Sequence, residues 1–192
     1  ARVVSVCQVR LGPFFSTELP DQGPVSETIR MRIALFQPDI PQNAGAILRL
    51  AACLDLPVDL IGPAGFVLQN PGIRRAGMDY LDHVQLTHHT SWDRFEACLV
   101  PPRRLVLLST KATERHIDFA FGPEDTLLVG RESDGVPEPV HARAGARICV
   151  PMRAGLRSLN VVTALAIVLG EALRRLGVAL RANRRRRTTD GP

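Results

Sequence analysis

From Met31 onward, short apolar runs alternate with stretches of helical periodicity, and this alternation constrains the fold more than any other feature of the 192-residue chain. Runs of strand length occupy residues 32–36, 58–61, 84–86, 104–109, 126–129 and 147–150. Helices or helical turns are expected between and after them, at residues 43–54, 73–80, 90–99, 137–142 and 158–176. Asn43 reads as the N-cap of the first of these, and Thr90 with Asp93 as a capping box for the third. Strands alternating with helices predict an α/β fold, a mostly parallel sheet flanked by helices.

The rest of the chain reads differently. Residues 1–30 hold Gly12, Pro13, Pro20, Gly23 and Pro24 and little periodicity, so they read as a flexible extension, or as the product of a start site placed upstream of the native one. The folded unit is expected to run over residues 31–180. Residues 181–192 carry five arginines and one acid, which accounts for +4 of the net charge of +5. Such a tail reads as a solvated, disordered end that adds salt-dependent affinity for a polyanion. No apolar run reaches the roughly 18 residues of a membrane-spanning helix, and no secretory pattern opens the chain. Four dispersed cysteines without a CxxC pair argue against a disulfide framework and for a reducing cytoplasm. Nor do His88, His89 and His116 have metal-ligand spacing. They read as a loop pair and a lone surface histidine, with no metal expected.

In the last helical segment, Leu159, Val162, Ala166, Leu169, Leu173 and Leu176 form one apolar stripe, and Val161, Leu165, Val168 and Ala172 a second. A surface helix of a monomer shows a polar face. Two stripes suit a helix shared between the sheet and a subunit interface.

No GxGxxG, GxxxxGK[ST] or GxSxG motif is present, which weighs against dinucleotide-binding, P-loop and esterase chemistry. Three segments remain at strand-to-helix connections, where ligands collect in open α/β sheets. They are Pro41-Gln42-Asn43-Ala44-Gly45-Ala46-Ile47-Leu48-Arg49, then Leu128-Val129-Gly130-Arg131-Glu132-Ser133-Asp134-Gly135-Val136-Pro137, and Val150-Pro151-Met152 through Arg157-Ser158-Leu159-Asn160. Together they resemble the motifs of the SPOUT superfamily of RNA methyltransferases, in its SpoU-like 2′-O-ribose branch. The stretch Ile73-Arg74-Arg75-Ala76-Gly77-Met78-Asp79-Tyr80 is similar to that of the subfamily that methylates the wobble ribose of tRNA at cytidine or uridine 34. The resemblance covers Met31 to about Leu176. Val129, Arg131 and Asp134 depart from some relatives without removing a glycine or the glutamate.

The resemblance implies a homodimer with a deep C-terminal trefoil knot that transfers a methyl group from S-adenosylmethionine to a tRNA 2′-hydroxyl. It places cofactor contacts at Leu108, Gly130, Val150 and Ser158, and catalytic groups at Arg49, Asn43 and Asn160. Gly130, lacking a Cβ, would let backbone approach a ligand, and Ser158 would sit among the free N–H groups that open the long helix. A guanidinium holds its proton far above neutral pH, so Arg49 suits a fixed cation facing a developing alkoxide better than a proton acceptor. Arg74, Arg75 and Tyr80 suit phosphate contact and base stacking on RNA. The alternatives are the same reaction on ribosomal RNA, or a knotted protein that binds RNA without catalysis.

Overall fold

The computed structural model describes residues 29–66 and 78–178. Residues 1–28 of the expected N-terminal extension, Arg74, Arg75 and the arginine tail lie outside them. Seven strands form one sheet: β1 Arg32–Phe36, β2 Val58–Ile61, β3 Leu86–His89, β4 Arg104–Leu108, β5 Glu114–Arg115, β6 Asp125–Val129 and β7 Ala146–Cys149. Their spatial order is β3-β2-β1-β6-β4-β7-β5, and every neighbouring pair is parallel. The helices are α1 Pro41–Leu54, α2 Trp92–Glu96, α3 Glu138–Arg143 and α4 Val161–Arg175, with a 3₁₀ helix at Met78–His83.

Both faces of a parallel sheet are covered by helices, which is why its strands read as continuous apolar runs. Successive side chains point to opposite faces. Ile33, Leu35, Val106, Leu127 and Val129 pack with Ile47 and Leu48 of α1 and with Leu165, Val168 and Leu169 of α4. Ala34, Phe36, Leu105, Leu107 and Leu128 pack on the other face with Phe95 of α2 and Val140 of α3.

Several boundaries move. Pro41 begins α1 after Ile40, and Asp55 at φ 55° closes it with its N–H on the carbonyls of Ala51 and Ala52. Pro at the first helical position lacks the N–H that a helix start leaves unpaired. Asn43 therefore lies inside the first turn and is not the N-cap. Ser91, not Thr90, caps α2, its Oγ accepting the Arg94 N–H at 3.3 Å. The 84–86 strand is displaced to Leu86–His89, and the two-residue β5 gave no apolar signal.

Of the three histidines weighed as metal ligands, His89 and His116 are buried and His88 is exposed. His89 Nε2 lies 2.8 Å from Asp59 Oδ1. The same carboxylate accepts Arg32 Nε at 2.6 Å and Nη2 at 3.0 Å. A buried carboxylate needs such partners, and here they tie β1, β2 and β3 together. His116 Nδ1 lies 3.3 Å from the Cys149 carbonyl oxygen at the other end of the sheet.

The long helix begins at Val161, three residues later than expected, with Asn160 as its N-cap. Its second stripe is absorbed by the chain's own core, since Leu165, Val168 and Ala172 are fully buried. Leu169 and Leu173 of the first stripe are buried as well, and the outward face carries Thr163, Ala166, Ile167 and Gly170.

Candidate active site

A cleft of about 570 Å³ opens at the carboxyl ends of β4, β6 and β7. Ligands gather at this edge of an open parallel sheet where strand order reverses. Here β1 leads outward to β2 and β3 on one side, while β6 inserts between β1 and β4 on the other. Leu108, Gly130, Val150 and Ser158 all line the cleft, as do Asn43 and Asn160. Six of the seven candidates assigned to chemistry or cofactor thus meet at one wall.

The three motif segments are joined by side-chain hydrogen bonds. Glu132 Oε1 accepts Asn43 Nδ2 at 3.1 Å, and its Oε2 accepts the Asp39 N–H at 3.3 Å. Asp39 returns the contact, Oδ1 accepting the Glu132 N–H at 3.0 Å and Oδ2 the Ser133 N–H at 3.3 Å. Asn160 Nδ2 donates to Asn43 Oδ1 at 3.1 Å, while Asn160 Oδ1 accepts the N–H groups of Val162 and Thr163 at 2.9 and 3.4 Å. Asn43 can serve both neighbours because α1 starts at Pro41 and leaves its amide free of capping.

Burial first, and then the neighbouring Asp39 carboxyl, raise the Glu132 pKa above the ordinary glutamate range. Asp39 is held well below the ordinary range, chiefly by Glu132 and then by Ser133 and the loop N–H groups. Two carboxyls at such close quarters titrate as a pair. No motif reading singled out Asp39. Its only trace in the sequence is an acid shortly before the Pro41 segment.

Two expected roles change. A Cβ on Gly130 would lie 2.5 Å from the Gly135 carbonyl carbon and 2.7 Å from its oxygen. The loop's own backbone therefore already requires glycine there. Arg131 and Gly135 exchange both N–H···O bonds at 2.9 Å, and Gly135 sits at φ +72°. Ser158 lies outside α4, whose first N–H groups are accepted by Asn160. Ser158 is therefore an exposed hydroxyl on the cleft wall and not a helix-terminal group.

Arg49 stands apart. It follows Asn43 by six residues on α1, about 9 Å along the axis, and is not among the cleft-lining residues. Its guanidinium carbon lies 5.0 Å from the centroid of the Tyr80 ring, within cation–π range. A catalytic and an RNA-binding candidate thus share one surface. Among the described residues, three buried side-chain atoms lack a hydrogen-bond partner, Thr126 Oγ1, Arg131 Nε and His141 Nε2. Two of the three belong to residues lining the cleft.

A doubly wound parallel sheet with a loop-walled cleft at its carboxyl edge defines an α/β protein with a candidate ligand site at its strand ends. The chain matches the SpoU rRNA methylase family over residues 30–170 and belongs to that family. It is 58% identical over 146 residues to the tRNA (cytidine(34)-2′-O)-methyltransferase of Beijerinckia indica subsp. indica, covering 76% of this chain and 91% of the relative. A solved structure concerned with 2-OH methylation of C/U34 on tRNA superimposes with a TM-score of 0.73 at 40% identity, over 77% of this chain and 96% of that one. An AdoMet-bound rRNA methyltransferase from Sinorhizobium meliloti shares the fold at a TM-score of 0.70 and 23% identity, over 77% of this chain and 57% of its own.

Proposed function

We infer that this protein transfers a methyl group from S-adenosylmethionine to the ribose 2′-hydroxyl of the wobble nucleotide, position 34, of tRNA. The observation that carries the reading is the convergence of the three motif segments on one cleft, at Asn43, residues 130–136 and residues of 150–160. The family name alone points to ribosomal RNA. Similarity to a relative named for cytidine 34 across nine-tenths of its length favours tRNA.

The cleft suits a nucleoside cofactor with a polar tail. Its volume falls in the small-molecule range of roughly 300–1,000 Å³. Leu107, Leu108, Val129, Ile148 and Val150 give it an apolar floor, and Ser109, Thr110 and Ser158 bring hydroxyls. The unpartnered Nε2 of His141 is the kind of buried polar atom that a ligand satisfies. When bound, the cofactor supplies a methyl group already activated on a sulfonium.

The chain's own residues do the rest. Asn43, Glu132 and Asn160 lock the cleft wall and position its loops. Leu108 and Val150 present strand-end backbone to a base. Arg49 lies off this wall, so its role is on the substrate side. There its charge opposes the alkoxide that develops as the ribose hydroxyl loses its proton. The apolar outward face of α4 is the surface on which a second copy docks, and the polypeptide path through β4, β6 and β7 forms a trefoil knot.

The test is methylation in vitro. Purified protein, methyl-labelled S-adenosylmethionine and tRNA lacking 2′-O-methylation at position 34 are combined, and the product is mapped by nuclease digestion and mass spectrometry. Label at nucleotide 34 supports the reading. Label only on ribosomal RNA, or none, rejects it.

A further inference from the structure

The 192 residues contain 23 arginines and a single lysine, Lys111. That lysine lines the cleft. Its ammonium brings a positive charge to the site. An ammonium is a compact, strongly hydrated point charge with three rotatable donors, whereas a guanidinium is a planar fork. Lys111 sits in the turn after β4, where its N–H bonds Ser109 Oγ at 3.1 Å and the Ala112 N–H bonds the Ser109 carbonyl at 3.2 Å. The residue is exposed and lines the cleft from the connection that follows Leu108.

Its surroundings repeat the charge. Arg157 also lines the cleft, and Arg153 lies four residues earlier in the same exposed connection to α4. Most arginines elsewhere in the described residues are held by acids. Arg32 is held by Asp59, Arg104 by Asp125, Arg143 by Glu96, and Arg174 and Arg175 by Glu171. Lys111, Arg153 and Arg157 are in no ion pair with any described residue. Lys111 and Arg157, exposed and uncompensated, line the cleft, and with Arg153 four residues from Arg157 on the same exposed connection they form a surface for an anion that is not part of the protein.

We propose that Lys111, Arg157 and Arg153 form a phosphodiester-binding rim that holds the RNA backbone beside the reacting ribose. This rests on the function inferred above and deepens it. The rim adds an RNA contact at the cofactor cleft itself, which Arg49 and Tyr80 do not line. Phosphate contacts of this type fix register without reading sequence. The competing occupant of the Lys111 ammonium is the carboxylate of the cofactor's amino-acid portion.

The experiment measures two affinities for the full chain and its variants. Binding of a fluorescent tRNA anticodon stem-loop is followed by anisotropy across a salt series, and S-adenosylhomocysteine binding by calorimetry. Lys111→Ala and Arg157→Ala are each expected to weaken RNA binding on the order of 3- to 10-fold at low salt and to make the slope of log Kd against log salt shallower by about 1. Lys111→Arg keeps the charge and is expected to keep the slope. Cofactor-product affinity is expected to stay at the wild-type value throughout. Unchanged RNA affinity and slope in both alanine variants overturns the rim, as does a loss confined to S-adenosylhomocysteine, which assigns Lys111 to the cofactor. Wild-type protein that does not bind the stem-loop rejects the rim together with the function beneath it. Wild-type binding with unaltered variants rejects the rim alone.

Discussion

Asn43 and Glu132, 89 residues apart in sequence, meet through an amide-to-carboxylate hydrogen bond of 3.1 Å. That bond fastens the first turn of α1 to the loop after β6. Because Asn43 also accepts from Asn160, it fastens both to the start of α4. Glu132→Ala leaves the Asn43 amide and the Asp39 N–H without their acceptor. The expected loss is about 1–3 kcal/mol of stability, with weakened S-adenosylmethionine binding. Denaturant unfolding and calorimetry on the same preparations measure both. Wild-type values for both would show that the bond positions nothing.

Asp39 and Glu132 respond oppositely to pH. Asp39 has a depressed pKa, so its contribution is present above the ordinary aspartate value near 4 and is lost as pH falls below it. Glu132 has a raised pKa, so its contribution is fully present below the ordinary glutamate value and is lost as pH rises through its native one. Asp39→Asn therefore removes stability at neutral pH and flattens the acid limb of the stability curve. Glu132→Gln flattens the decline above the glutamate range. Urea unfolding between pH 3 and pH 7 separates the two variants.

Gly130→Ala cannot be accommodated without moving the Gly135 backbone, because the added carbon would lie 2.5 Å from it. The expected cost is about 1–3 kcal/mol, visible as a lower Tm without any ligand. If glycine were needed only for ligand approach, the ligand-free Tm would stay at the wild-type value and cofactor affinity alone would fall.

Arg49→Ala is expected to bind S-adenosylmethionine normally, since Arg49 does not line the cleft. It is expected to lose methyl transfer by about 100-fold or more, the scale of removing one preorganised charge-stabilising group. Arg49→Lys restores part of the rate, because the charge returns without the planar fork. Single-turnover transfer of labelled methyl to tRNA reads the rate, and near-normal transfer by Arg49→Ala would remove it from the chemistry.

Ile167 is 40% exposed on the outward face of α4, whereas Leu165 is 0% exposed in the core. Ile167→Glu is expected to yield folded monomers by light scattering, with circular dichroism unchanged. Leu165→Glu places an unpaired charge among buried apolar side chains and is expected to unfold the chain. A folded dimer in Ile167→Glu would place the subunit interface elsewhere.

The fold class was legible because its signals are local. The parallel sheet is buried on both faces, so β1, β2, β4, β6 and β7 each appear as apolar runs within a residue or two of their ends. β3, with three exposed residues, and the polar β5 carry no such signal. Helix starts were misplaced where a cap depends on backbone geometry. Asn43 has the chemistry of an N-cap, but Pro41 and the extended Ile40 begin α1 earlier.

The sequence by itself determined the alternation of strands and helices, the glycines and prolines that punctuate the loops, and the residue types of the three motifs. These follow from periodicity and from backbone constraints acting over a few residues. The tertiary structure alone decided that Asp39 clasps Glu132 and that Gly130 makes room for Gly135. It also decided that His89 is buried against Asp59, and that Arg49 stands over Tyr80 away from the cleft. Those relationships join residues from different strands and loops, and strand order brings them together. No local pattern encodes which strand lies beside which, because the order is fixed only when α1 and α4 cover one face of the sheet and α2 and α3 the other.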